Sequence, residues 1–239
     1  MTTDPAASLP ERVETVLLDA GGVLLQLDYA YLRRLIETRH REVTDLELLR
    51  AEASARGEIH RHVEDGGLAS DAWRDYFHMV LGSVGVPAAD HEAMIDSLWE
   101  ANRRAGLWTV PAEGGTETVR ELKRQGYRLG VVSNAEGRVA QQLDAAGYEG
   151  LFDEVVDSAL VGVEKPDAEI FLIALHRLEA SAESTVFIGD VPGVDVAGAQ
   201  AAQLTPILLD PFDLFAEWQV TRLRTIGELP GCLARTGKP

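Results

Sequence analysis

Short apolar runs recur along the chain, and the important ones stop at a polar or turn-forming residue. Val16-Leu17-Leu18 ends at Asp19 and the pair Gly21-Gly22. Leu129-Gly-Val-Val132 ends at Ser133-Asn134, and Val186-Phe-Ile188 ends at Gly189-Asp190. Pro206-Ile-Leu-Leu209 has the same β-branched character, and Glu154-Val-Val156 is a weaker example. Runs of this length without alternation predict strands buried on both faces. The segments between them carry a helical period. Thr116–Gln125 stops at Gly126, Arg138–Ala146 stops at Gly147, and Asp167–Leu178 repeats apolar residues at Ile170, Phe171, Ala174, Leu175 and Leu178. Strands alternating with such helices predict an α/β fold, a Rossmann-like parallel sheet flanked by helices.

One stretch breaks the alternation. From Tyr29 to Gly106 no segment reads as a strand, and four helices can be placed. Leu32, Leu35 and Ile36 mark the first, and Thr44-Asp-Leu-Glu47 opens the second with a capping-box pattern. Ser70 is the expected cap of the third, whose stripe runs through Trp73, Tyr76, Phe77, Val80, Leu81 and Val84. Met94, Ile95, Leu98 and Trp99 mark the fourth. The expected organisation is a core of residues 11–28 and 107–239 interrupted by an all-helical cap, 29–106, over the carboxyl edge of the sheet. Residues 1–10 read as a disordered leader.

Composition narrows the function. The 239 residues carry 22 Lys+Arg against 39 Asp+Glu, a formal charge of -17. Such a chain is a poor non-specific partner for nucleic acid or an anionic membrane. No run approaches the roughly 18 apolar residues of a membrane span, and the start shows no secretory pattern, so a cytoplasmic location is expected. A lone Cys232, read as part of a loose tail, excludes an internal disulfide and a Cys-rich metal site. His60 and His62 stand two apart, which puts them on different helix faces and argues against a shared metal.

The chemistry gathers at four strand ends: Asp19-Ala-Gly-Gly-Val23, Val131-Val-Ser-Asn134, Gly162-Val-Glu-Lys-Pro166 and Ile188-Gly-Asp-Val-Pro-Gly-Val-Asp195. In a parallel sheet these ends converge on one crevice. The set combines carboxylates able to hold Mg2+ with a hydroxyl, an ammonium and glycine-turn N–H groups suited to phosphate oxygens. That combination suits phosphoryl transfer through an aspartyl intermediate.

Taken in order, Asp-x-x-Gly-Val, Ser-Asn, Lys-Pro-Asp and Gly-Asp-x4-Asp resemble the haloacid dehalogenase superfamily, and the position of the helical insert resembles its members with an α-helical cap. The resemblance spans residues 13 to about 210. It implies that Asp19 is the nucleophile, that Ser133 and Lys165 bind the phosphoryl group, and that Gly22 and Asn134 line the same pocket. It further implies a Mg2+ site built from Asp19, the backbone carbonyl of Gly21, Asp190 and Asp195, the last from behind or through water. The substrate implied is a small phosphorylated metabolite.

The chain departs from that pattern at Gly21, where the family's phosphatases usually carry an Asp that serves as general acid and base. General acid–base catalysis supplies on the order of 10² to 10⁴ in rate. A phosphatase-like subgroup with Asp-x-Gly often has another Asp shortly downstream, and Asp28 stands at such a place. Asp28 also directly precedes the first helix of the insert, where N-capping explains it fully, and we favour that reading. The segment Gly57-Glu-Ile-His-Arg-His62 with Gly66-Gly-Leu68 resembles cap segments of the same subgroup, which makes His62 a candidate for substrate choice. Trp73, Tyr76 and Phe77 read as cap core, whereas Trp99, Trp108 and Arg103 have no place assigned. Two other functions compete with a phosphatase: a degenerate, non-catalytic binding protein, supported by Gly21, and a metal-free 2-haloacid dehalogenase, opposed by Gly189-Asp190 and Gly21.

Overall fold

A computed structural model describes residues 9–237 and residue 239, so most of the expected leader lies outside the described residues. The strands are β1 (Thr15–Leu18), β2 (Leu25–Leu27), β3 (Trp108–Pro111), β4 (Arg128–Ser133), β5 (Glu154–Asp157), β6 (Thr185–Gly189), β7 (Thr205–Leu209) and β8 (Thr221–Leu223). Six of them form one parallel sheet in the order β5-β4-β1-β6-β7-β8. The fold is α/β, as the alternation predicts.

The first strand lies in the middle because it is apolar on both faces. Val16 and Leu18 join one buried cluster with Val131, Ile188 and Ile207, while Leu17 joins the opposite one with Val132 and Phe187. Register then positions the chemistry. Leu18 is level with Val131 on one side and Ile188 on the other. Asp19, Ser133 and Asp190 therefore emerge together at the carboxyl edge, where strand order reverses around β1.

Helices α1 (Tyr29–Glu37), α2 (Asp45–Glu64), α3 (Trp73–Ser83) and α4 (Ala88–Ala105) make up the insert. They close around their own core of Leu32, Ile36, Leu48, Phe77, Leu81 and Leu98. The Thr44 capping box is present: its hydroxyl accepts from Glu47 N, and the Glu47 carboxylate accepts from Thr44 N. The remaining helices are α5 (Gly115–Arg124), α6 (Val139–Leu143), α7 (Ser158–Val161), α8 (Ala168–Arg177), α9 (Ala197–Ala201) and α10 (Leu229–Leu233). Residues of α5, α6 and α10 cover one face of the sheet, and those of α8 and α9 the other.

Several local expectations need correction. β2 and β3 pair antiparallel as a ribbon at the neck of the insert; each is too short to show a period. The N-cap position of the third helix falls at Ala72 rather than Ser70, because Ala69–Ala72 forms a 3-10 turn and α3 begins at Trp73. The tail is not loose. It supplies β8 and α10, and Cys232 is buried among Leu229, Leu233 and the first sheet face.

Asp28 is the N-cap of α1, accepting from Tyr31 N at 2.9 Å. Removing that acceptor leaves a helix-end N–H without its partner. Asp28→Ala is expected to lower unfolding free energy by about 1 kcal/mol, read from denaturant melts. Unchanged stability would remove the cap assignment.

Candidate active site

The site begins with the sharp turn after β1. Gly22 has φ +76, and a Cβ there would lie 2.0 Å from Asp190 Oδ2. Glycine is needed twice over, for the left-handed backbone and for the approach of the Asp190 carboxylate. Gly21 is less constrained: a Cβ there would only touch the Trp108 ring, at 3.5 Å.

Lys165, from the loop before α8, is 1% exposed. Its ammonium lies 2.9 Å from Asp19 Oδ2 and 2.8 Å from Asp195 Oδ1. Burial alone would pull this lysine down, but Asp19 and Asp195 together hold it above its ordinary value. Asp195 is saturated on its other oxygen too, where Oδ2 accepts from Asp190 N and Val191 N, both at 2.9 Å. It therefore fixes both the lysine and the loop that carries Asp190. Asn134 does the same for the lysine's backbone: its Nδ2 donates to Lys165 O at 2.9 Å, and its Oδ1 accepts from Lys165 N at 2.8 Å.

Asp19 is buried beside Ser133, and burial raises its pKa while Lys165 and the Ser133 hydroxyl oppose that rise. Its Oδ1 accepts from Ala20 N at 2.7 Å. Asp190 is also buried. Its pKa is pushed up to about 8 by desolvation, with Asp195, Asp19 and Glu52 adding to the rise and Arg56 opposing it. Arg56 comes from the insert: its Nε meets Asp190 Oδ2 at 2.8 Å, with both side chains almost wholly buried. One turn earlier on α2, the buried Glu52 accepts from the Tyr29 hydroxyl.

The donor set suits a hard divalent cation. Oxygens of Asp19, Asp190 and Asp195 lie within 4.8 Å of one another, with nothing softer among them. Asp195 is the most heavily engaged of the three, accepting three hydrogen bonds against two on Asp19 and the single Arg56 contact on Asp190, which sets it behind the other two as a candidate for direct ligation.

The structure brings Asp19, Ser133, Asn134, Lys165, Asp190 and Asp195 to one cavity of about 310 Å³. Three expected residues are not among those lining it: Gly22, set against Asp190, together with Asp28 and His62. Asp28 is occupied at the α1 cap, and His62 faces Asp75, at 3.9 Å, rather than the crevice. The cap-core reading holds for Phe77, but Trp73 and Tyr76 belong to the cavity wall as well, and Trp99 and Trp108 complete it. Sequence reasoning missed Arg56 and Glu52. The available signal was a Glu-x3-Arg pair at helical spacing beside the buried Leu48, Ala51 and Ala55.

Residues 13–203 match the family of haloacid dehalogenase-like hydrolases. A glyceraldehyde 3-phosphate phosphatase of Methanothermobacter thermautotrophicus is 40% identical over 101 residues, 42% of this chain and 45% of that protein. A ribulose-1,5-bisphosphate 5-phosphatase of Halopiger xanaduensis is 32% identical over 162 residues, 66% of each chain. The chain thus spans about half the length of the first of these relatives and two thirds of the second. Among solved structures, the HAD-hydrolase YfnB from Bacillus subtilis, bound to magnesium, aligns with TM-score 0.65 and 23% identity over 93% of this chain and 99% of that one, which shows a shared fold.

A proton held by Asp190 below about pH 8 must leave before the carboxylate can ligate a cation. The Mg2+ association constant, measured by calorimetry, is expected to rise with pH and level off above about 8. A pH-independent constant would show that Asp190 is already ionised beside Arg56 before the cation binds.

Proposed function

The chain belongs to the haloacid dehalogenase-like hydrolases, and on that premise we propose that it is a Mg2+-dependent phosphatase of a small phosphorylated metabolite, working through a phosphorylated Asp19. The observation that carries this reading is the Lys165 ammonium held 2.9 Å from Asp19 Oδ2 inside a cluster of three carboxylates. A buried nucleophilic carboxylate needs its charge balanced until an anionic phosphoryl group arrives, and Lys165 supplies that balance.

Asp19 attacks phosphorus. The Asp19 O–P bond forms as the ester P–O bond breaks, and the electron pair leaves on the alcohol oxygen. Water then attacks phosphorus, the Asp19 O–P bond breaks, and inorganic phosphate departs with the carboxylate restored. Lys165 and the Ser133 hydroxyl neutralise and orient the phosphoryl oxygens, while Asn134 and Asp195 hold Lys165 in place. Mg2+ bound by Asp19, Asp190 and the Gly21 carbonyl would supply charge neutralisation for the transferring group. Residues 29–106 act as the cap that keeps bulk water out, with Arg56 as its deepest reach into the core.

Three outcomes test the reading. With acetyl phosphate or p-nitrophenyl phosphate, phosphate release is expected to stop in excess chelator, and Asp19→Asn is expected to be inactive while keeping its circular dichroism. Undiminished phosphate release in chelator would overturn the Mg2+ requirement, whereas no phosphate release alongside hydrolysis of a 2-haloacid would end the phosphatase reading and favour dehalogenation. The third outcome concerns Gly21. Without an acid there, leaving groups that are weak bases are expected to react fastest. Gly21 is free of left-handed strain and has room for a Cβ. Gly21→Asp is therefore expected to fold and to raise turnover of primary-alcohol phosphates about 10-fold or more. No gain in a folded variant would show that the missing acid does not limit the reaction.

A further inference from the structure

The cavity above Asp19 has two properties that the phosphatase reading leaves unused. The first is its wall. Trp73, Tyr76, Trp99 and Trp108, with Leu25 and Ile59, line the space next to the catalytic carboxylates. The Trp73 and Trp99 rings meet edge-on at 5.1 Å between their centres, and Tyr76 and Trp108 lie 6.0 Å apart. Trp99 is 44% exposed, an apolar surface left open to solvent. Trp108 also lies beside Gly21, its ring 3.5 Å from where a Cβ there would sit. Aromatic faces in this arrangement receive a flat apolar body by stacking and edge contacts.

The second property is charge. Six carboxylates line the cavity, Asp19, Glu52, Glu136, Glu164, Asp190 and Asp195, against two cations, Arg56 and Lys165. Both cations are already engaged: Lys165 with Asp19 and Asp195, Arg56 with Asp190. Among the described residues lining the cavity, no other cation stands ready to receive a second anionic group. The carboxylate excess of four is offset only by half when a divalent ion binds, so a phosphate or carboxylate elsewhere on the substrate would meet repulsion.

Resting on the phosphatase reading, we infer that the substrate is a monoester joining one phosphate to a neutral, flat, apolar body, an aryl phosphate or a close analogue, and that Trp73, Trp99 and Trp108 select it. The volume of about 310 Å³ holds a phosphate with one or two rings. The chemistry agrees with the wall. An aryloxide is a weak base, so it departs without the acid that Gly21 lacks: the P–O bond breaks, the pair stays on the aryl oxygen, and solvent later protonates it. Sugar bisphosphates and phosphocarboxylates are excluded on charge.

The test separates binding from turnover. With Mg2+ present, Asp19→Asn is titrated by calorimetry with 2-naphthyl phosphate, inorganic phosphate and fructose 1,6-bisphosphate. We expect 2-naphthyl phosphate to bind at least about 10-fold more tightly than inorganic phosphate, and Trp99→Ala in the same background to remove most of that gain. Fructose 1,6-bisphosphate binding as tightly as 2-naphthyl phosphate, or a gain that survives Trp99→Ala and Trp73→Ala alike, would overturn the inference. Should the variant bind no phosphate at all, kcat/KM of the wild type for the two esters decides, with the naphthyl ester expected to lead by about 10-fold or more and parity or reversal overturning the inference. Chelator-sensitive hydrolysis of acetyl phosphate, whose leaving group is too small to use the wall, tests the phosphatase reading alone. Its presence without the naphthyl gain defeats only the substrate assignment, and its absence defeats the reading beneath.

Discussion

A lysine ammonium with almost no exposure to water, held between two carboxylates, is the constraint on which the rest of this protein is arranged. Lys165 cannot be buried alone, because an unpaired charge in the interior carries a penalty of several kcal/mol. Asp19 and Asp195 answer it at 2.9 and 2.8 Å. Each partner is then tied to a different strand end, Asp19 to β1 and Asp195 to the turn after β6. The ion triad therefore locks the central strands in register at their carboxyl edge. It also fixes the Asp19 carboxylate in a site from which water is largely withdrawn. Removing Lys165 strands two buried carboxylates with uncompensated charge, so the arrangement of the site and local stability are one property.

The insert adds a second ion pair across the same edge. Arg56 reaches down from α2 to Asp190, while His60 on that helix packs over Gly193 and stands edge-on to Trp218 at 5.4 Å. The helical part thus touches the core through the residues that form the site. Opening it would expose Asp190 and Arg56 together. The indoles of Trp73, Trp99 and Trp108 line the same space.

Much of this was legible in the sequence. The strand ends at Asp19, Ser133 and Asp190 could be read because buried parallel strands are short apolar runs and their polar stops stand out. The four helices of the insert could be read because amphipathic period persists over many residues. β2, β3 and β8 were not legible: at three or four residues each, they show no period. Arg56 and Glu52 were hidden for another reason. On an amphipathic helix a charged pair at i, i+4 resembles an exposed salt bridge, and only the tertiary packing of α2 against the core turns it inward. The indoles of Trp73 and Trp99 posed a similar problem, since an apolar helix stripe serves a helical core or a cavity wall alike, and sequence spacing does not separate the two. Asp28 was read as a cap from its place before a helix, and its bond to Tyr31 N bears this out.

The central claim is that Asp19 carries the phosphoryl group. The direct measurement is a rapid-quench single turnover of the wild type with p-nitrophenyl phosphate and Mg2+, followed by mass spectrometry of the peptide containing Asp19. The account predicts a phosphoryl group on that peptide that rises with nitrophenol release and decays as inorganic phosphate appears. Stoichiometric phosphate formation without phosphorylation of that peptide at any quench time would contradict it.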